Sequence, residues 1–526
     1  MAKVKIPEVP IPHSLRIGLH DPGMTPILRA GLGGLAAALR AIGPQALEPH
    51  GSVIISADAV TLDWREPGKA RAFCEALFAA CFRLDAQGLI DLPGTYRGVQ
   101  DTVIRAALTQ ALRLTFLQHG SSAGKDGKLR ACAIEIDGET HQVGIQPYKD
   151  FAHQGIGTVI GECLDKPLAK RKPLQLAGWA NPGAVERHVG LGCTDLDYRP
   201  STAICACYTL VGCVSLQISR VAGTLIVPDP IDLERFAGAR PFLTPQRLAD
   251  CHVSSTGDGA LAIQVALRTA EWQEGGSDIA EFYGMTLRST SWASQQKSRS
   301  DTFECHQFPL KILSAFQGLM ALCPPRILLT KPPKKGDLGN YWAIPSSLRG
   351  FVADNLARGR PWYQGFAQAR TLDDPPKWVH RYYSPKDDLG GLRFPDDRQG
   401  LIAMTATLDE AEGLFIASIH TALRQRFGAI ASENQGAPAA FRNRLQGERD
   451  KWRLAFAGAK THEQIRSALA DLWSRAGTVK ELQTGYATIL PLLKPDRWEA
   501  ARDLALIALA SYQGKGADDT ESTDHT

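Results

Sequence analysis

The sequence predicts an α+β fold, in which a mixed α/β N-terminal and central body is followed by an all-α C-terminal helical bundle. Three observations predict it. Alternating, strand-like runs such as VIISADAVTLDW (53–64) stand between helical segments in the first part of the chain. The dipeptide Asp137-Gly138 is a strong hairpin signal within the alternating run 129–145. From Met404 onward, segments with helical apolar spacing follow one another with short connectors.

The elements of the first part follow from local signals. Prolines 7, 10 and 12 exclude a helix and predict an extended arm over residues 1–14. A strand over 15–19, a Pro22-Gly23 turn and a helix that begins near Pro26 come next. Apolar periodicity then predicts three further segments. These are a hairpin over 53–64 and helices near 67–83 and 95–119.

The later elements divide into a β-rich stretch, loops and the bundle. The apolar segment 202–220 is interpreted as a buried strand or a pair of strands. Proline, glycine and lysine predict loops over 320–345 and 371–400. The bundle helices are expected over 405–428, 438–457, 461–476, 478–490 and 495–512. The predicted domains are the arm 1–14, a body 15–400 that admits a sub-boundary near residue 121, the bundle 401–513 and a disordered acidic tail 514–526.

Composition bounds the class of protein. The chain of 526 residues is 44% hydrophobic and 22% charged, as globular proteins are. A net charge of +4 is too small for a polycation, so contact with nucleic acid would have to come from local basic patches. Eleven scattered cysteines indicate a reducing compartment. With no signal-peptide pattern and no apolar run long enough to span a bilayer, we expect a cytoplasmic protein without membrane contact.

The stretch RIGLHDPGMTPILRAGLGGLAAALRAIG (16–43) contains two features that suggest chemistry. A metal-dependent phosphohydrolase needs more ligands than the single pair His20-Asp21, and Asp21 is better placed to cap the turn. Gly31, Gly33 and Gly34 fall inside the predicted helix and not at its start, as a phosphate loop would require. They predict close packing of another backbone, and neither a metal nor a cofactor is expected.

The cysteines and histidines do not form a catalytic set. One group has a spacing that lacks the C-x2-C pairs of structural zinc sites, so its members are interpreted as buried thiols, two of them on one strand face. This group is Cys193, Cys205, Cys207 and Cys213. Adjacent residues on a strand point to opposite faces, which argues against nucleophile–base pairs at Cys251-His252 and Cys305-His306. No catalytic residue is assigned.

Basic patches are the strongest functional signal. They combine Lys and Arg with amides and aromatic residues, which suits contact with phosphates and bases, although any one patch could be a solvated face. The patches are LAKRK (168–172), QQKSR (295–299), LTKPPKK (329–335), LARGRPWYQGF (356–366) and WVHRYY (378–383). In FRNRLQGERDKWR (441–453), the spacing of Arg442, Arg449 and Arg453 predicts a stripe along one helix side, flanked by Arg444 and Lys451.

Two stretches resemble a known family. LHDPGMTPILRAGLGGLAAALRAI (19–42) and RWEAARDLALIALASYQGKG (497–516) are similar to the large subunit of CRISPR type I surveillance (Cascade) complexes. The branch is the MYXAN subtype, allied to type I-B and also found in some CRISPR-associated transposon systems. The resemblance covers both ends and the overall length, and the middle is placed by architecture.

The resemblance implies a non-enzymatic, RNA-guided DNA-binding subunit. It would recognise the protospacer-adjacent motif (PAM) on duplex DNA, assist strand separation, stabilise the R-loop and support recruitment of a helicase-nuclease or a transposition module. Its bundle would resemble the Cascade small subunit in fold and guide the displaced strand. The implied partners are crRNA, target DNA and the handle-binding, backbone and small subunits of the complex.

The family has no transferable PAM-reading motif, so candidates are chosen by chemistry. Amides and lysines in an exposed loop can wedge and bond base edges. The first choice is Gln295, Gln296, Lys297 and Arg299, and the second is Lys331, Lys334, Lys335 and Asn340. For the displaced strand, the candidates are Arg442, Arg444, Arg449, Lys451 and Arg453.

Three further interpretations stay open. One alternative function is a metal-dependent phosphohydrolase or nuclease that uses His20-Asp21, and another is an interaction scaffold without nucleic acid. Met404, at the start of the bundle, could also begin a separate small subunit by internal translation, or be an ordinary core methionine.

Overall fold

The structure is a computed structural model, and it divides the chain into two compact units. It describes residues 11–98, 100–116, 129–136, 138–148, 151, 153–176, 196–274, 279–290, 293–305, 308–330, 338–370, 379 and 395–513. The first unit is Met1–Pro309 with Pro325–Pro345, and the second is Leu310–Pro324 with Ser346–Thr526. The boundary predicted at 400/401 falls inside the helix Pro395–Thr405, within the second unit. A stretch rich in proline and glycine resembles a linker in sequence, whereas the helices on either side of it belong to one unit.

The first unit contains all the described strands, every sheet being antiparallel. The strands are β1 (Ser14–Gly18), β2 (Ser52–Ile55), β3 (Ala59–Asp63), β4 (Arg83–Leu84), β5 (Ile90–Asp91), β6 (Arg130–Ile136), β7 (Glu139–Ile145), β8 (Leu174–Leu176), β9 (Leu196–Tyr198), β10 (Val214–Gln217), β11 (Ala222–Pro230), β12 (Ile279–Thr290), β13 (Ala293–Cys305), β14 (Arg326–Thr330) and β15 (Asn340–Ile344). They form a three-stranded sheet β1-β3-β2, a four-stranded sheet β10-β11-β12-β13 and four two-stranded ribbons. The presence of both helices and antiparallel sheets confirms the predicted α+β class.

The helices of the first unit pack around these sheets. They are α1 (Pro26–Ile42), α2 (Ala70–Cys81), α3 (Thr102–Thr115), α4 (His153–Leu164), α5 (Pro200–Gly212), α6 (Leu233–Ala239) and α7 (Thr256–Glu274). The predicted strand 15–19, helix from Pro26, hairpin 53–64 and hairpin 129–145 are confirmed. The core centres on α1 and α5, whose residues such as Leu35 and Tyr208 are fully buried.

The interpretation of 202–220 as a strand or strand pair is wrong over its first part. Helix α5 covers Pro200–Gly212, and only Val214–Gln217 is a strand. A helix that is buried on all sides is apolar all round, and this removes the periodicity that distinguishes it from a buried strand. Cys205 and Cys207 therefore lie on a helix and not on one strand face.

Glycines let α1 and α5 touch through their backbones, and we call Gly31, Gly34 and Gly212 the glycine notch. A Cβ atom on Gly31 would lie 2.0 Å from the carbonyl oxygen of Cys205, and one on Gly34 would lie 2.3 Å from that of Tyr208. On Gly212 it would lie 1.8 Å from the carbonyl oxygen of Ala30. The predicted close approach of another backbone to this helix is confirmed.

Two arginines tie distant segments to this core. Arg29 on α1 donates two hydrogen bonds to Asp229 at the end of β11, at 2.6 and 2.5 Å. The fully buried Arg240 donates to the carbonyl oxygens of Val211 (2.5 Å) and Cys213 (2.9 Å), where the last carbonyls of α5 lack helical partners. Burial lowers the pKa of Arg240 to about 10, and the negative end of the helix favours its cation.

A carboxylate from a neighbouring helix caps α2. Asp165, just after α4, accepts hydrogen bonds from the backbone N–H groups of Ala70 (2.9 Å) and Arg71 (3.1 Å), the first two residues of α2. These groups have no partner inside the helix, so the contact takes the place of an N-cap side chain. Asp165 thus joins α2 to α4, which pack against each other through Gly157 and Gly161.

The described part of the second unit is helical. Its helices are α8 (Leu310–Leu322), α9 (Ser347–Ala357), α10 (Pro395–Thr405), α11 (Glu410–Glu433), α12 (Pro438–Gly458), α13 (His462–Ala476), α14 (Lys480–Ile489) and α15 (Trp498–Ser511). The last five confirm the bundle helices predicted from apolar spacing. On α15, the buried carboxylate of Asp503 accepts from the N–H groups of Gly365 (2.7 Å) and Ala367 (3.0 Å), which fixes the segment before residue 370 to the bundle.

Of the helices that the structure describes, none combines the length and the hydropathy that crossing a lipid bilayer requires.

Candidate nucleic-acid interface

The pair His20-Asp21 occupies a structural turn. Asp21 accepts a hydrogen bond from the N–H of Gly18 at 2.8 Å, and the N–H of Met24 donates to the carbonyl oxygen of Asp21 at 3.1 Å. The predicted capping role of Asp21 is therefore confirmed. Within the described ranges, no three His, Cys, Asp or Glu side chains come together as a metal-ion site would require.

The cysteines whose side chains the structure describes are buried thiols. Cys205, Cys207 and Cys213 are free and buried, as predicted, although they lie on or directly after a helix. Burial raises the pKa of Cys213 to about 12, so its thiol is protonated at neutral pH and a poor metal ligand or nucleophile. Cys193 lies outside the described residues, as does His306 of the second Cys-His doublet.

The first-choice residues lie on a strand and not in a loop. Gln295, Gln296, Lys297 and Arg299 belong to β13, where Lys297 stands opposite Ser289 and Arg299 opposite Leu287 of β12. The loop prediction is wrong because a strand paired on only one side is commonly polar, and its Ser and Gln content resembles that of a loop. Whether these residues contact DNA stays a prediction.

The second-choice set is divided. Lys331, Lys334 and Lys335 lie outside the described residues, whereas Asn340 opens strand β15. Its side chain accepts a hydrogen bond from the N–H of Tyr341 at 2.8 Å and is exposed. Asn340 lines a cavity of about 450 Å³, which is described below.

The arginine stripe on α12 has the predicted spacing but faces inward over part of its length. Arg449 lies over the ring of Phe427, and burial lowers the pKa of its guanidinium. Trp452 and Phe456, three and seven residues further on, are buried on the same side of the helix. Only the N-terminal end of the stripe, at Arg442, is exposed.

The remaining basic residues of α12 form ion pairs. Arg444 contacts Glu433 at 2.9 Å, Lys451 contacts Asp471 at 3.4 Å and Arg453 contacts Asp450 at 3.1 Å. Exposed pairs of this kind contribute little stability, but each partly neutralises the charge available to a phosphate. Of the five predicted residues, Arg442 is thus the best placed for a backbone contact.

Two other basic patches have structural roles, and one lies outside the described residues. In 168–172, Arg171 donates to the carbonyl oxygens of Leu164 and Lys166 at the end of α4. In 356–366, Trp362 and Tyr363 are buried in the second unit. Of the patch 378–383, only Val379 is described.

A groove in the first unit brings together residues that the sequence separates widely. The cavity of about 450 Å³ lies between α3, the β6–β7 hairpin, the β14–β15 ribbon and the turn that follows β10. We call it the Arg220 groove. Its polar, charged and aromatic lining is Thr109, Gln110, Arg113, Gln146, Gln217, Ser219, Arg220, His252, Asn340, Tyr341 and Trp342. Among the described residues that line the groove none is acidic, and Arg113 and Arg220 give this part of the lining a positive charge.

The walls of the groove are fixed by hydrogen bonds. The side chain of Gln217 on β10 donates to the carbonyl oxygen of Ala107 on α3 at 2.8 Å. The N–H of Gly144 on β7 donates to the carbonyl oxygen of Gly339 at 2.9 Å, which joins the hairpin to the β14–β15 ribbon. The polar groups of the groove are therefore held by ordered elements on both sides.

A cation and an aromatic ring stand together at the mouth of the groove. The guanidinium of Arg220 lies 4.0 Å from the ring centroid of Trp342, whose side chain is 36% exposed. Arg113 on α3 is partly buried in the wall, and burial lowers its pKa from the ordinary value. Guanidinium groups over an aromatic face are a common arrangement for stacking on a further planar group.

Two buried polar atoms in the groove have no protein partner among the described residues. They are Nε2 of Gln146 and Nε2 of His252. Burial lowers the pKa of His252 to about 4, so its imidazole is neutral at pH 7. Unsatisfied buried polar groups are rare and are commonly found where water or a ligand binds. The groove thus offers charge, aromatic surface and unused hydrogen-bonding groups.

Comparison with known proteins gives three matches. The model of the DevT N-terminal domain matches residues 16–207, and that of the DevT C-terminal domain matches residues 404–526. The CRISPR-associated protein Cas8a1/Csx13 of Myxococcus xanthus (strain DK1622) is 43% identical over 534 residues, covering 98% of this chain and 91% of that protein. The similarity therefore extends over nearly the whole chain.

Proposed function

Because the chain belongs to the Cas8a1/Csx13 family of CRISPR Cascade large subunits, of the Myxococcus type, we propose that it recognises the PAM on target duplex DNA. The family membership confirms the resemblance seen at the two ends of the sequence and places the protein in CRISPR defence. In the proposed role, the chain also assists strand separation, stabilises the R-loop and supports recruitment of a helicase-nuclease or a transposition module. Its proposed partners are crRNA, target DNA and the other Cascade subunits.

The observation that carries the proposal is the 43% identity to Cas8a1/Csx13 over nearly the whole chain. The Arg220 groove supports contact with nucleic acid as part of that role. It places two guanidinium groups, aromatic rings and amides in one concave surface, and no acidic residue stands among the part of its lining that the structure describes. Phosphates bind to arginine, and bases stack on aromatic rings and bond to amides. In RNA-guided recognition, base pairing supplies most of the sequence specificity, so a protein subunit needs only a limited contact surface of this kind.

We further propose that the chain acts without catalysing a reaction. Support comes from three of the groups that could suggest catalysis: Asp21 caps a turn, and the thiols of Cys205 and Cys251 are buried, which raises their pKa. R-loop formation is nearly balanced in energy, so a few contacts can tip it without chemical work.

The helical second unit is proposed to follow the displaced strand, in the manner of a Cascade small subunit. Support comes from the exposed Arg442 at the start of α12. A backbone contact of this type carries no base specificity. Arg442→Ala should therefore weaken binding equally for all target sequences and lower the salt dependence by about one phosphate.

The proposed function is tested in the assembled complex. Cascade reconstituted with or without this chain is titrated with duplexes that carry the cognate PAM or a scrambled one, and displaced-strand thymines are probed with permanganate. We expect PAM-dependent binding and strand opening only when the chain is present. Equal binding of both duplexes, or equal opening without the chain, would refute the proposal.

Two variants extend this test. Gln296→Ala with Lys297→Ala should reduce PAM-dependent binding if the first-choice residues read the motif, and unchanged binding would remove them as candidates. The isolated protein is also incubated with nucleic acid and divalent metal. Cleavage that His20→Ala abolishes would overturn the non-enzymatic assignment.

A further inference from the structure

We propose that the Arg220 groove holds one unstacked nucleotide of a single-stranded segment, with its base against Trp342 and Arg220 and its phosphate toward Arg113. The inference rests on the proposed function, because it assigns part of the nucleic-acid contact to a defined site. It goes beyond recognition of a duplex, because it places one unpaired base inside the groove, which a base that is paired and stacked in a duplex cannot enter.

The size and charge of the groove suit a nucleotide. Its volume of about 450 Å³ lies within the range of about 300–1,000 Å³ that is usual for small-ligand sites. Two arginines and no acidic residue are found among its described lining residues, which favours an anion. Because the lining also contains four amide side chains and two aromatic rings, the ligand is expected to carry a polar, planar ring as well as a charge.

Trp342 provides the stacking surface. Its ring is partly exposed, and Arg220, which lies 4.0 Å from the ring centroid, stands on an exposed turn after β10. A base that enters the groove would displace the guanidinium outward, leaving the base between the indole ring and the cation. Both contacts tolerate any of the four bases, since every base has a flat π-face.

The two buried nitrogens without a described protein partner, on Gln146 and His252, would form the hydrogen bonds to the edge of the base. Nε2 of Gln146 is an amide donor, and Nε2 of the neutral His252 is a donor or an acceptor according to its tautomer. Bases read in single strands are hydrogen-bonded on their exposed Watson–Crick and Hoogsteen edges. Gln146 directly follows β7 and His252 precedes α7, and rotation of these two lining side chains would bring their nitrogens to one base from two sides.

The nucleotide can come from the guide RNA or from a separated DNA strand, and cross-linking distinguishes these sources. Three complexes are assembled, with 4-thiouridine in the guide RNA or 5-iodo-2′-deoxyuridine in either DNA strand. After irradiation, cross-linked peptides are mapped by mass spectrometry. We expect one of the three complexes to label the peptide that contains Tyr341 and Trp342.

Variants give the energetic test. Trp342→Ala should weaken target binding by the complex about 5- to 150-fold, the value of one base–aromatic stack, and Trp342→Phe should restore most of the loss. Arg97→Ala is the matched control, because Arg97 lies 4.2 Å from the Phe242 ring in the same unit but does not line the groove. It should change binding less than 2-fold.

The outcomes separate the two proposals. No cross-link to the groove peptide from any of the three complexes, while PAM-dependent binding is intact, overturns the inference and leaves the proposed function standing. A cross-link in a complex that ignores the PAM supports the groove and refutes the proposed function. If Trp342→Ala fails to assemble, the cross-links of the unaltered protein still decide.

Discussion

The glycine notch gives the sharpest stability prediction. Replacing Gly31 or Gly34 with alanine should destabilise the first unit, although alanine is the better helix former by about 1 kcal/mol. An alanine Cβ at Gly31 would lie 2.0 Å from the Cys205 carbonyl oxygen, about 1.4 Å short of an ordinary contact. At Gly34 the corresponding deficit, to the carbonyl oxygen of Tyr208, is about 1.1 Å. Because the obstacle is backbone, α1 and α5 must separate.

The expected magnitude is a difference of two terms. Overpacking a core costs about 1–3 kcal/mol and more where the neighbour cannot move, so we assign about 2–4 kcal/mol to each substitution. The gain in helix propensity offsets about 1 kcal/mol, leaving a net loss of about 1–3 kcal/mol. Gly33→Ala should cost less, since the atoms nearest to its Cβ would belong to the side chains of Phe236 and Pro230 and not to backbone.

The free energy of unfolding is measured by urea titration with far-UV circular dichroism. Gly155→Ala is the matched control, because Gly155 lies in α4 of the same unit and no described atom stands within 4 Å of its added Cβ. It should be neutral or slightly stabilising. If Gly31→Ala and Gly34→Ala were as stable as the control, the backbone contact between α1 and α5 would be refuted.

Three further predictions concern single residues. Lowering the pH from 7 to 5 should destabilise the first unit by about 2 kcal/mol through His153. Burial lowers the pKa of this imidazole to about 3 in the folded state, whereas in the unfolded state it binds a proton near pH 6.5. Since only the unfolded state gains the proton between pH 7 and pH 5, the free energy of unfolding falls. Urea titrations at both pH values measure this, and a pH dependence unchanged in His153→Phe would contradict it. Asp165→Ala should lower the free energy of unfolding by about 1 kcal/mol, because it removes the cap of α2. Asp165→Asn should lower it less, since its side-chain oxygen still accepts a hydrogen bond. Equal losses for the two variants in the same urea titration would contradict the capping role. If Met404 starts a separate product of about 13 kDa, a blot for a C-terminal tag should show a short band that survives mutation of Met1 and vanishes in Met404→Ala. If the band persists in Met404→Ala, Met404 is only the buried core residue that it is in this chain.

Much of the fold follows from local periodicity. The hairpins over 53–64 and 129–145 and the amphipathic helices were predictable because each has one buried and one exposed face. The loop predicted over 320–345 is wrong in part, since β14 and β15 lie there. Helix α5 was not, since ICACYTLVGC is apolar on all sides. Two start signals in its first turn, Pro200 and the Thr202 hydroxyl that accepts from the N–H of Arg199, were nevertheless present in the sequence.

The candidate site was less predictable. The Arg220 groove joins residues from α3, β7, β10 and β15, and no spacing in the sequence reveals that they meet. Asn340 was identified because its chemistry suited the role, whereas Arg220 and Trp342 carry no local signal beyond their residue types. On α12, the spacing of the stripe was correct, but Trp452 and Phe456 on the same side already indicated that this side faces inward.

The contacts of Arg29 and Arg240 also bear on which fragments of the chain are stable. The N-terminal family match ends at residue 207, in the middle of α5, yet Arg29 finds its carboxylate partner at Asp229, and the end of α5 finds its donor at Arg240. A chain that ends at residue 207 contains α1 but only the first part of α5, and Arg29 then lacks its carboxylate partner Asp229. The matched segment 16–207 therefore lacks partners that α1 and α5 have in the folded protein, and we expect a fragment that ends at residue 207 to be less stable than one that ends near residue 240.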